Sequence, residues 1–82
     1  MKILYFAHLR QLLGRSEDSL DIKKSKPIHE VIDDLIKRNE DYRKAFQGIN
    51  NIQYAINCEY ASKDSFVNNK DELAIFPPVT GG

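Results

Sequence analysis

The chain has 82 residues, of which 41% are hydrophobic and 29% charged, a composition typical of one small globular domain. Twelve basic residues balance twelve acidic ones, and no basic block occurs, so nucleic acid and anionic membrane are not expected as main partners. A single cysteine, Cys58, excludes an internal disulfide and favours a reducing compartment. The chain has neither a signal-peptide pattern nor an apolar stretch long enough for a transmembrane helix, and we expect a cytoplasmic protein.

The first part of the chain predicts a strand, a helix and a second strand. Residues 2–6 are apolar and aromatic, which is typical of a strand buried on both faces. Residues 8–13 carry leucines at helical spacing and end at Gly14, a residue suited to the left-handed position after a helix. Residues 15–18 indicate a polar turn, and residues 19–23 alternate in polarity as a strand does.

The longest helix is predicted from Pro27 to Arg38. Proline suits the first turn, and Glu30 is an acid near the positive end of the helix dipole. Five apolar side chains recur at helical spacing, which requires the helix to lie across another layer. They are Ile28, Val31, Ile32, Leu35 and Ile36. On the other side, acidic and basic residues four apart predict a solvated face with weak ion pairs. The predicted pairs are Asp33 with Lys37 and Asp34 with Arg38.

The second part of the chain predicts a short helix, then strands. Residues 42–46 suggest a short helical segment. Residues 52–60 alternate like one strand, whereas a turn near residues 57–59 would divide them into a hairpin. Residues 66–67 are apolar in a polar loop and are expected to pin it to the core. Residues 73–76 form a second nearly continuous apolar run, as in a central strand.

These elements together predict an α+β fold. The simplest arrangement places the first and last strands side by side and parallel at the centre of a mixed sheet, with the one main helix packed across it. This is the ubiquitin-like β-grasp arrangement. The domain would occupy residues 1–76, and residues 77–82 would form an extended carboxy-terminal tail.

The tail carries the main candidate site. Pro77 and Pro78 fix φ and donate no backbone hydrogen bond, which favours an extended segment leading away from the domain. The Gly81-Gly82 pair has a plain explanation, because termini fray and glycines are common there. It also has a functional one. A segment without Cβ atoms can enter a channel too narrow for other residues, and its carboxylate must be activated before it can react.

Three segments resemble the small-subunit family of molybdopterin synthase, in the same order and over the whole chain. They are Phe6-Ala7-His8-Leu9-Arg10 with Gly14 after it, Ala55-Ile56-Asn57-Cys58-Glu59-Tyr60, and Asp71-Glu72-Leu73-Ala74-Ile75-Phe76-Pro77-Pro78-Val79-Thr80-Gly81-Gly82. The last segment is similar to the Asp-Glu-Val-Ala-x-x-Pro-Pro-Val-Ser/Thr-Gly-Gly end of that family. The resemblance implies a ubiquitin-like sulfur carrier of the MoaD/ThiS type.

The resemblance also implies a reaction cycle shared among several proteins. Gly82 would be adenylated by a separate adenylyltransferase, related to ubiquitin-activating enzymes, that supplies the ATP site, and would then become a thiocarboxylate. The tail would insert into the large catalytic subunit of a heterotetramer and donate sulfur to the pterin precursor of the molybdenum cofactor. The chain would not be catalytic alone and would hold no stable cofactor. The resemblance therefore implies partner contacts along the tail, at Pro77, Pro78, Val79, Thr80 and Gly81. Phe76 and Arg10 are further candidate partner contacts, suggested by their own positions in the chain.

Several alternatives remain open at this point. His8, His29 and Cys58 lack metal-ligand spacing, and no metal site is expected. Arg10 is either an ordinary exposed helix residue or a contact to a carboxylate or phosphate. Phe76 is either the last core residue or an interface anchor. The chain could instead carry sulfur for another pathway such as thiamine synthesis, act as a ubiquitin-like modifier, or serve as an interaction module with an incidental tail.

Overall fold

The structure is a computed structural model that describes residues 1–49 and 51–78. The elements in chain order are β1 (Lys2–Tyr5), α1 (Ala7–Leu13), β2 (Glu17–Ser19), β3 (Lys26–Pro27), α2 (Ile28–Arg38), α3 (Glu40–Gln47), β4 (Gln53–Ile56), β5 (Glu59–Ala61), β6 (Phe66–Val67) and β7 (Glu72–Phe76). Five strands form one sheet in the order β2-β1-β7-β4-β5, while β3 and β6 pair in a separate ribbon.

The first and last strands lie side by side at the centre of the sheet and run parallel. Their register places Lys2 opposite Glu72 and Tyr5 opposite Ile75. The other pairings in this sheet are antiparallel, so the sheet is mixed. This sheet supplies the layer that the amphipathic stripe of α2 requires. The prediction of a ubiquitin-like β-grasp fold is confirmed.

The core lies between the helices and one face of the sheet. Alternate side chains of β1 and β7 point into it, together with the apolar stripe of α2, because strand residues alternate between faces. The most deeply buried of these are Ile3, Tyr5, Ile28, Val31, Leu35, Leu73 and Ile75. Burying one such large apolar side chain stabilises the fold by roughly 1.5–3 kcal/mol. Ile32 and Ile36, at the edge of the predicted stripe, are partly buried against this core.

The opposite face of the sheet carries no helix in the part of the chain that the structure describes. The expectation that β1 and β7 are buried on both faces is therefore wrong within this domain. Leu4 of β1 and Ala74 of β7 project to this uncovered face and are only half-buried. Each of these strands thus has apolar side chains on both faces, but the core of the domain buries those of only one face.

The second strand is displaced from its predicted position. It spans Glu17–Ser19 instead of residues 19–23, so it begins inside the predicted turn and overlaps the predicted strand only at Ser19. Met1 and Leu20 exchange the last two backbone hydrogen bonds of the ladder with β1. Beyond them the segment turns away from the sheet, and the N–H of Ile22 donates to Oδ1 of Asn69 at 2.9 Å. Leu20 and Ile22 are nevertheless buried, as their alternation predicted.

The alternating run near residue 56 is a hairpin, so the interpretation with a turn is confirmed. Asn57 and Cys58 have φ of 50° and 70°, as the two central residues of a type I′ turn require. The two-residue turn places Tyr60 opposite Ala55. Tyr60 therefore does not share a face with Tyr54, as one continuous strand would have required.

Three smaller expectations about the surface are also corrected. Neither predicted ion pair of α2 forms within residues 1–49 and 51–78; Asp34 instead lies 2.8 Å from Nζ of Lys26. The ribbon strand β3 brings Lys26 close to α2, and this cross-element pair replaces the pair along the helix. Val67 is fully buried, but Phe66 is 64% exposed, so only Val67 pins its loop to the core.

A hydrogen-bond network joins β1, β2 and α3. Tyr5 Oη donates to Oδ2 of Asp18 at 2.8 Å, and the hydroxyl of Tyr42 donates to the same oxygen. Arg15 Nη1 donates to Oδ1 of Asp18 at 3.3 Å, and its guanidinium lies 5.0 Å from the centroid of the Tyr42 ring. Burial, and then the hydrogen bond to Asp18, raise the pKa of Tyr5 and of Tyr42 above the ordinary tyrosine value.

Candidate functional site

The candidate site begins where the tail leaves the sheet. Phe76 is the last residue of β7, and Pro77 and Pro78 follow it. β7 pairs with β1 on one side and with β4 on the other, so two ladders fix the point of exit. The predicted contact residues Val79, Thr80 and Gly81 and the predicted carrier Gly82 lie outside the described residues. The boundary between a domain of residues 1–76 and a tail of 77–82 therefore stays a prediction.

A row of apolar side chains crosses the uncovered face of the sheet. Leu4 lies opposite Ala74, Ala74 lies opposite Ala55, and Ala55 lies opposite Tyr60. Residues directly opposite one another in neighbouring strands project to the same face. Four strands therefore contribute to one continuous apolar surface, which we call the open face. It consists of Leu4, Phe6, Ala55, Tyr60, Ala74 and Phe76.

Phe76 belongs to the open face and not to the core. Its ring contacts that of Tyr60, with 6.0 Å between centroids and 56° between the ring planes. Gln53 and Pro78 complete a shallow depression of about 350 Å³ around these two rings. Tyr60 is 81% exposed, whereas Phe76 is half-buried. The interpretation of Phe76 as the last core residue is wrong, and its role as an interface anchor stays a prediction.

Phe6 flanks Phe76 on the other side. Its N–H donates to the carbonyl of Ile75 at 3.3 Å, which extends the parallel pairing by one residue and places Phe6 beside Phe76. The Phe6 side chain is 43% exposed. Arg10 lies one helical turn farther along, since its N–H donates to the carbonyl of Phe6 at 3.3 Å. The exposed Arg10 thus occupies the same end of the domain as the base of the tail.

Sequence reasoning missed Phe6, Tyr60 and Leu4 as candidate contacts. The available signal was the apolar character of both faces of β1 and β7, which was interpreted as burial inside the domain. The hairpin alternative would have placed Tyr60 opposite Ala55, but the sequence alone did not decide between hairpin and single strand. A short strand that is apolar on both faces predicts either a second layer or a partner surface.

No metal site is formed by the histidines and the cysteine. Within the described residues no group of three potential metal-binding side chains comes together. His29 Nε2 lies 3.9 Å from Asp64, and Cys58 is exposed in the hairpin turn.

No helix between residues 1 and 49 or between 51 and 78 is long and apolar enough to cross a bilayer.

Comparison with known proteins extends the resemblance to the complete fold. A molybdopterin synthase sulfur carrier subunit from Arabidopsis thaliana is 31% identical over 85 aligned residues, which cover 100% of this chain and 82% of the relative. A protein of the same name from Dictyostelium discoideum is 33% identical, with 99% and 94% covered. The crystal structure of SAMP1 from Haloferax volcanii superposes with a TM-score of 0.78 at 25% identity, with 100% and 98% covered.

The family model described as the ThiS family matches residues 3–82. This span includes β1 from Ile3 onward, the open face and both terminal glycines. The match therefore covers the domain and its tail as one unit. The chain belongs to the ThiS family.

Proposed function

We propose that this protein is the sulfur carrier subunit of a molybdopterin synthase. The names of its relatives from Arabidopsis thaliana and Dictyostelium discoideum support this function. The structural observation that carries the proposal is that the open face continues to Pro77-Pro78. These two residues begin the tail, whose last residues are Gly81-Gly82. A partner that receives the tail therefore meets an apolar surface beside it.

The reacting group is the carboxylate of Gly82. A carboxylic acid is ionised at neutral pH, and its delocalised charge makes it a poor electrophile. Attack of a carboxylate oxygen on the α-phosphate of ATP gives an acyl adenylate and releases pyrophosphate. Attack of hydrosulfide on the acyl carbon expels AMP and leaves the thiocarboxylate directly. If the terminal sulfur of a donor persulfide attacks instead, the product is an acyl disulfide, and a second thiol reduces it to the thiocarboxylate while forming a disulfide with the donor. The sequence has no glycine-rich phosphate loop, so we assign both steps to a separate adenylyltransferase.

Sulfur delivery follows from the chemistry of the thiocarboxylate. Sulfur nucleophiles react in their deprotonated form, and a thiocarboxylate is ionised at neutral pH. Its sulfur attacks a carbon of the pterin precursor in the large subunit, forms a carbon–sulfur bond and displaces an oxygen leaving group from that carbon. Water then cleaves the acyl–sulfur bond, which leaves sulfur on the precursor and restores the carboxylate of Gly82. The absence of Cβ at Gly81 and Gly82 allows this exchange in a narrow channel.

The open face is the surface that we assign to the large subunit. Aromatic side chains are enriched in the buried centres of protein interfaces, where they contribute much of the binding free energy. Phe6, Tyr60 and Phe76 supply three such rings next to the tail. Arg10 lies beyond Phe6, where its guanidinium can bind a carboxylate or phosphate of a partner. A cytoplasmic heterotetramer with two copies of each subunit is part of this proposal.

The experiment that tests the proposal is intact-mass analysis of the full chain. The protein is incubated with a cognate adenylyltransferase, ATP and a sulfur donor, and then with the large subunit and its precursor. We expect a mass change of one oxygen-to-sulfur exchange that disappears when precursor is added. The variant that lacks Gly82 should stay unmodified while its circular dichroism spectrum is unchanged. Loading of that variant, or failure to load the full chain while a known carrier is loaded, would contradict the proposal.

A second candidate function is ubiquitin-like modification of other proteins. The similarity to SAMP1, a small archaeal modifier protein, favours this candidate. The same adenylate would then be attacked by a lysine amine of a target, which forms an isopeptide bond and releases AMP. Ladders of target proteins joined to Gly82, found by peptide mass spectrometry, would support a modifier. A thiocarboxylate consumed by the large subunit supports the carrier.

A further inference from the structure

A second surface of the domain has a different chemical character from the open face. The segment of residues 20–26, which bends at Lys23 and Lys24, and the exposed side of α2 form the two walls of a groove with a volume of about 690 Å³. Lys23, Lys24 and Lys26 lie on one wall, and Lys37 and Arg38 lie on the other. We call this surface the basic groove. Its volume is in the range of ligand-binding clefts, roughly 300–1,000 Å³.

Positive charge is concentrated in the basic groove although the formal net charge of the chain is zero. Five of the twelve basic residues and three of the twelve acidic ones line the groove itself. A sixth basic residue, Lys70, lines the depression that adjoins the groove at one end. Lys26 is neutralised by Asp34 at 2.8 Å. The other cations of the groove form no ion pair in the described part of the chain. Five cations and two carboxylates remain, so the groove presents an excess of positive charge to a partner.

The wall of residues 20–26 is held in place while part of its backbone stays available. The buried side chains of Leu20 and Ile22 anchor it, and Asn69 accepts the N–H of Ile22. The N–H groups of Lys23 and Lys24 have no acceptor among the described residues. Because Lys23 and Lys24 lie in a bend, their N–H groups do not form a strand edge, but they can donate to carboxylate oxygens of a partner.

The basic groove lies at the opposite end of the sheet from the tail. Asn69 binds both Ile22 and the amino group of Met1, and it lies just before the start of β7. The tail leaves β7 at its other end, after Phe76. The strand spans about 13 Å between these ends. A ligand in the groove therefore leaves the tail and the open face accessible to another protein.

We propose that the basic groove binds an extended acidic segment of a partner protein. Carboxylates along such a segment meet the cations of both walls, and the N–H groups of Lys23 and Lys24 can donate to them. A single phosphate fits the arrangement less well, because the cations are distributed along two walls and the positive end of α2 lies at Ile28, outside the groove lining. This inference does not depend on the sulfur chemistry of Gly82.

The test uses the full chain labelled with ¹⁵N and a synthetic octapeptide that alternates glutamate and valine. We expect amide shift changes confined to residues 20–26 and 30–38, with residues 76–78 unchanged, and binding that weakens as salt is raised. The double variant Lys23→Glu, Lys37→Glu should weaken binding about tenfold, measured by fluorescence anisotropy. The matched control Lys44→Glu, Lys63→Glu has the same net charge but alters exposed lysines outside the groove, and should bind within about twofold of the parent.

Four outcomes would overturn the proposal. One is equal weakening by the control variant, which would indicate attraction to net charge alone. Another is a set of shift changes outside the groove, or none at low salt. A third is the same shifts at the same affinity with inorganic phosphate, which would indicate an anion site. The last is equal or stronger binding of vesicles of phosphatidylglycerol and phosphatidylcholine that is lost in the groove variant, which would indicate a lipid surface.

Discussion

The ring of Tyr60 leans across strand β4 and contacts the ring of Phe76, with 6.0 Å between their centroids. Tyr60 belongs to the edge strand β5, and Phe76 is the last residue of the central strand β7. The contact therefore links an exposed side chain at the edge of the sheet to the point where the tail begins. A partner that covers one ring is placed against the other.

Replacing Tyr60 with serine should weaken binding to the large subunit without changing the fold. A tyrosine in the centre of an interface contributes about 2 kcal/mol, or roughly 30-fold in Kd. Because Tyr60 is 81% exposed in the free domain, its loss should leave Tm nearly unchanged. Isothermal titration calorimetry measures the affinity. Phe66→Ser, at a 64% exposed ring outside the open face, is the matched control; equal effects of the two variants would contradict the assignment.

Adding a side chain at Gly81 should block the function of the tail without affecting the stability of the domain. Gly81→Val introduces a branched Cβ next to the reacting carboxyl group. If the partner channel fits only glycine, the misplaced carboxyl group should lower the rate of thiocarboxylate formation or of sulfur delivery about a hundredfold. Single-turnover assays with mass detection separate the two steps. Thr80→Ser serves as the control, and a Gly81→Val protein with normal rates would disprove the narrow-channel argument.

The hairpin turn predicts a stabilising substitution. Cys58 has φ of 70°, a left-handed conformation that costs an L-amino acid with a side chain about 1–2 kcal/mol. Cys58→Gly removes this strain, but glycine also raises the entropy of the unfolded chain. We expect a net gain of about 0.5–1 kcal/mol in the free energy of unfolding, measured with urea. Cys58→Ala keeps the strain and should show no gain; a stabilised alanine variant would mean that the thiol, and not φ, is unfavourable.

The tyrosine network predicts a loss of stability at high pH. The pKa values of Tyr5 and Tyr42 are higher in the folded state than the ordinary value of 10.0. The folded state therefore keeps protons that the unfolded state loses, and this contribution is complete below pH 10 and decreases above it. Each such group lowers the free energy of unfolding by about 1.4 kcal/mol per pH unit in that range.

The variant Tyr5→Phe isolates this effect. At pH 7 it should cost about 1 kcal/mol, because one hydrogen bond to Asp18 is lost. Above pH 10 its stability should fall less steeply than that of the parent, by one tyrosine's share of the slope. Urea unfolding at a series of pH values measures both slopes. Parallel slopes would show that Tyr5 ionises equally in the folded and unfolded states.

Much of the fold could be predicted from local pattern. Several elements follow from the order of residues within one short segment. Examples are the apolar stripe of α2, the glycine after α1 and the apolar runs of β1 and β7. Gly14, for example, has φ of 72° after α1, as its position predicted. The parallel pairing of β1 with β7 followed because those two runs had to be central.

The displaced features depend on contacts that no local pattern encodes. Residues 19–23 alternate like a strand, but the ladder with β1 ends at Met1 and Leu20, and the N–H of Ile22 donates instead to Asn69, 47 residues away. Asp34 does not pair with Arg38 as predicted, because the ribbon strand β3 brings Nζ of Lys26 to 2.8 Å from Oδ2 of Asp34. At the candidate site, sequence predicted Phe76 and Arg10 but not Tyr60, because its face depends on the turn at Asn57.

Strand β7 is hydrogen-bonded to β1 on one side and to β4 on the other, which protects it from local unfolding. Amides in the middle of a sheet, bonded on both sides, exchange with solvent mainly when the whole domain unfolds, whereas edges and termini open more readily. The segment that anchors the tail is thus among the last parts of the molecule to loosen. Under the proposed function, the enzymes that act on Gly82 would find the start of its tail held in one place for as long as the domain remains folded.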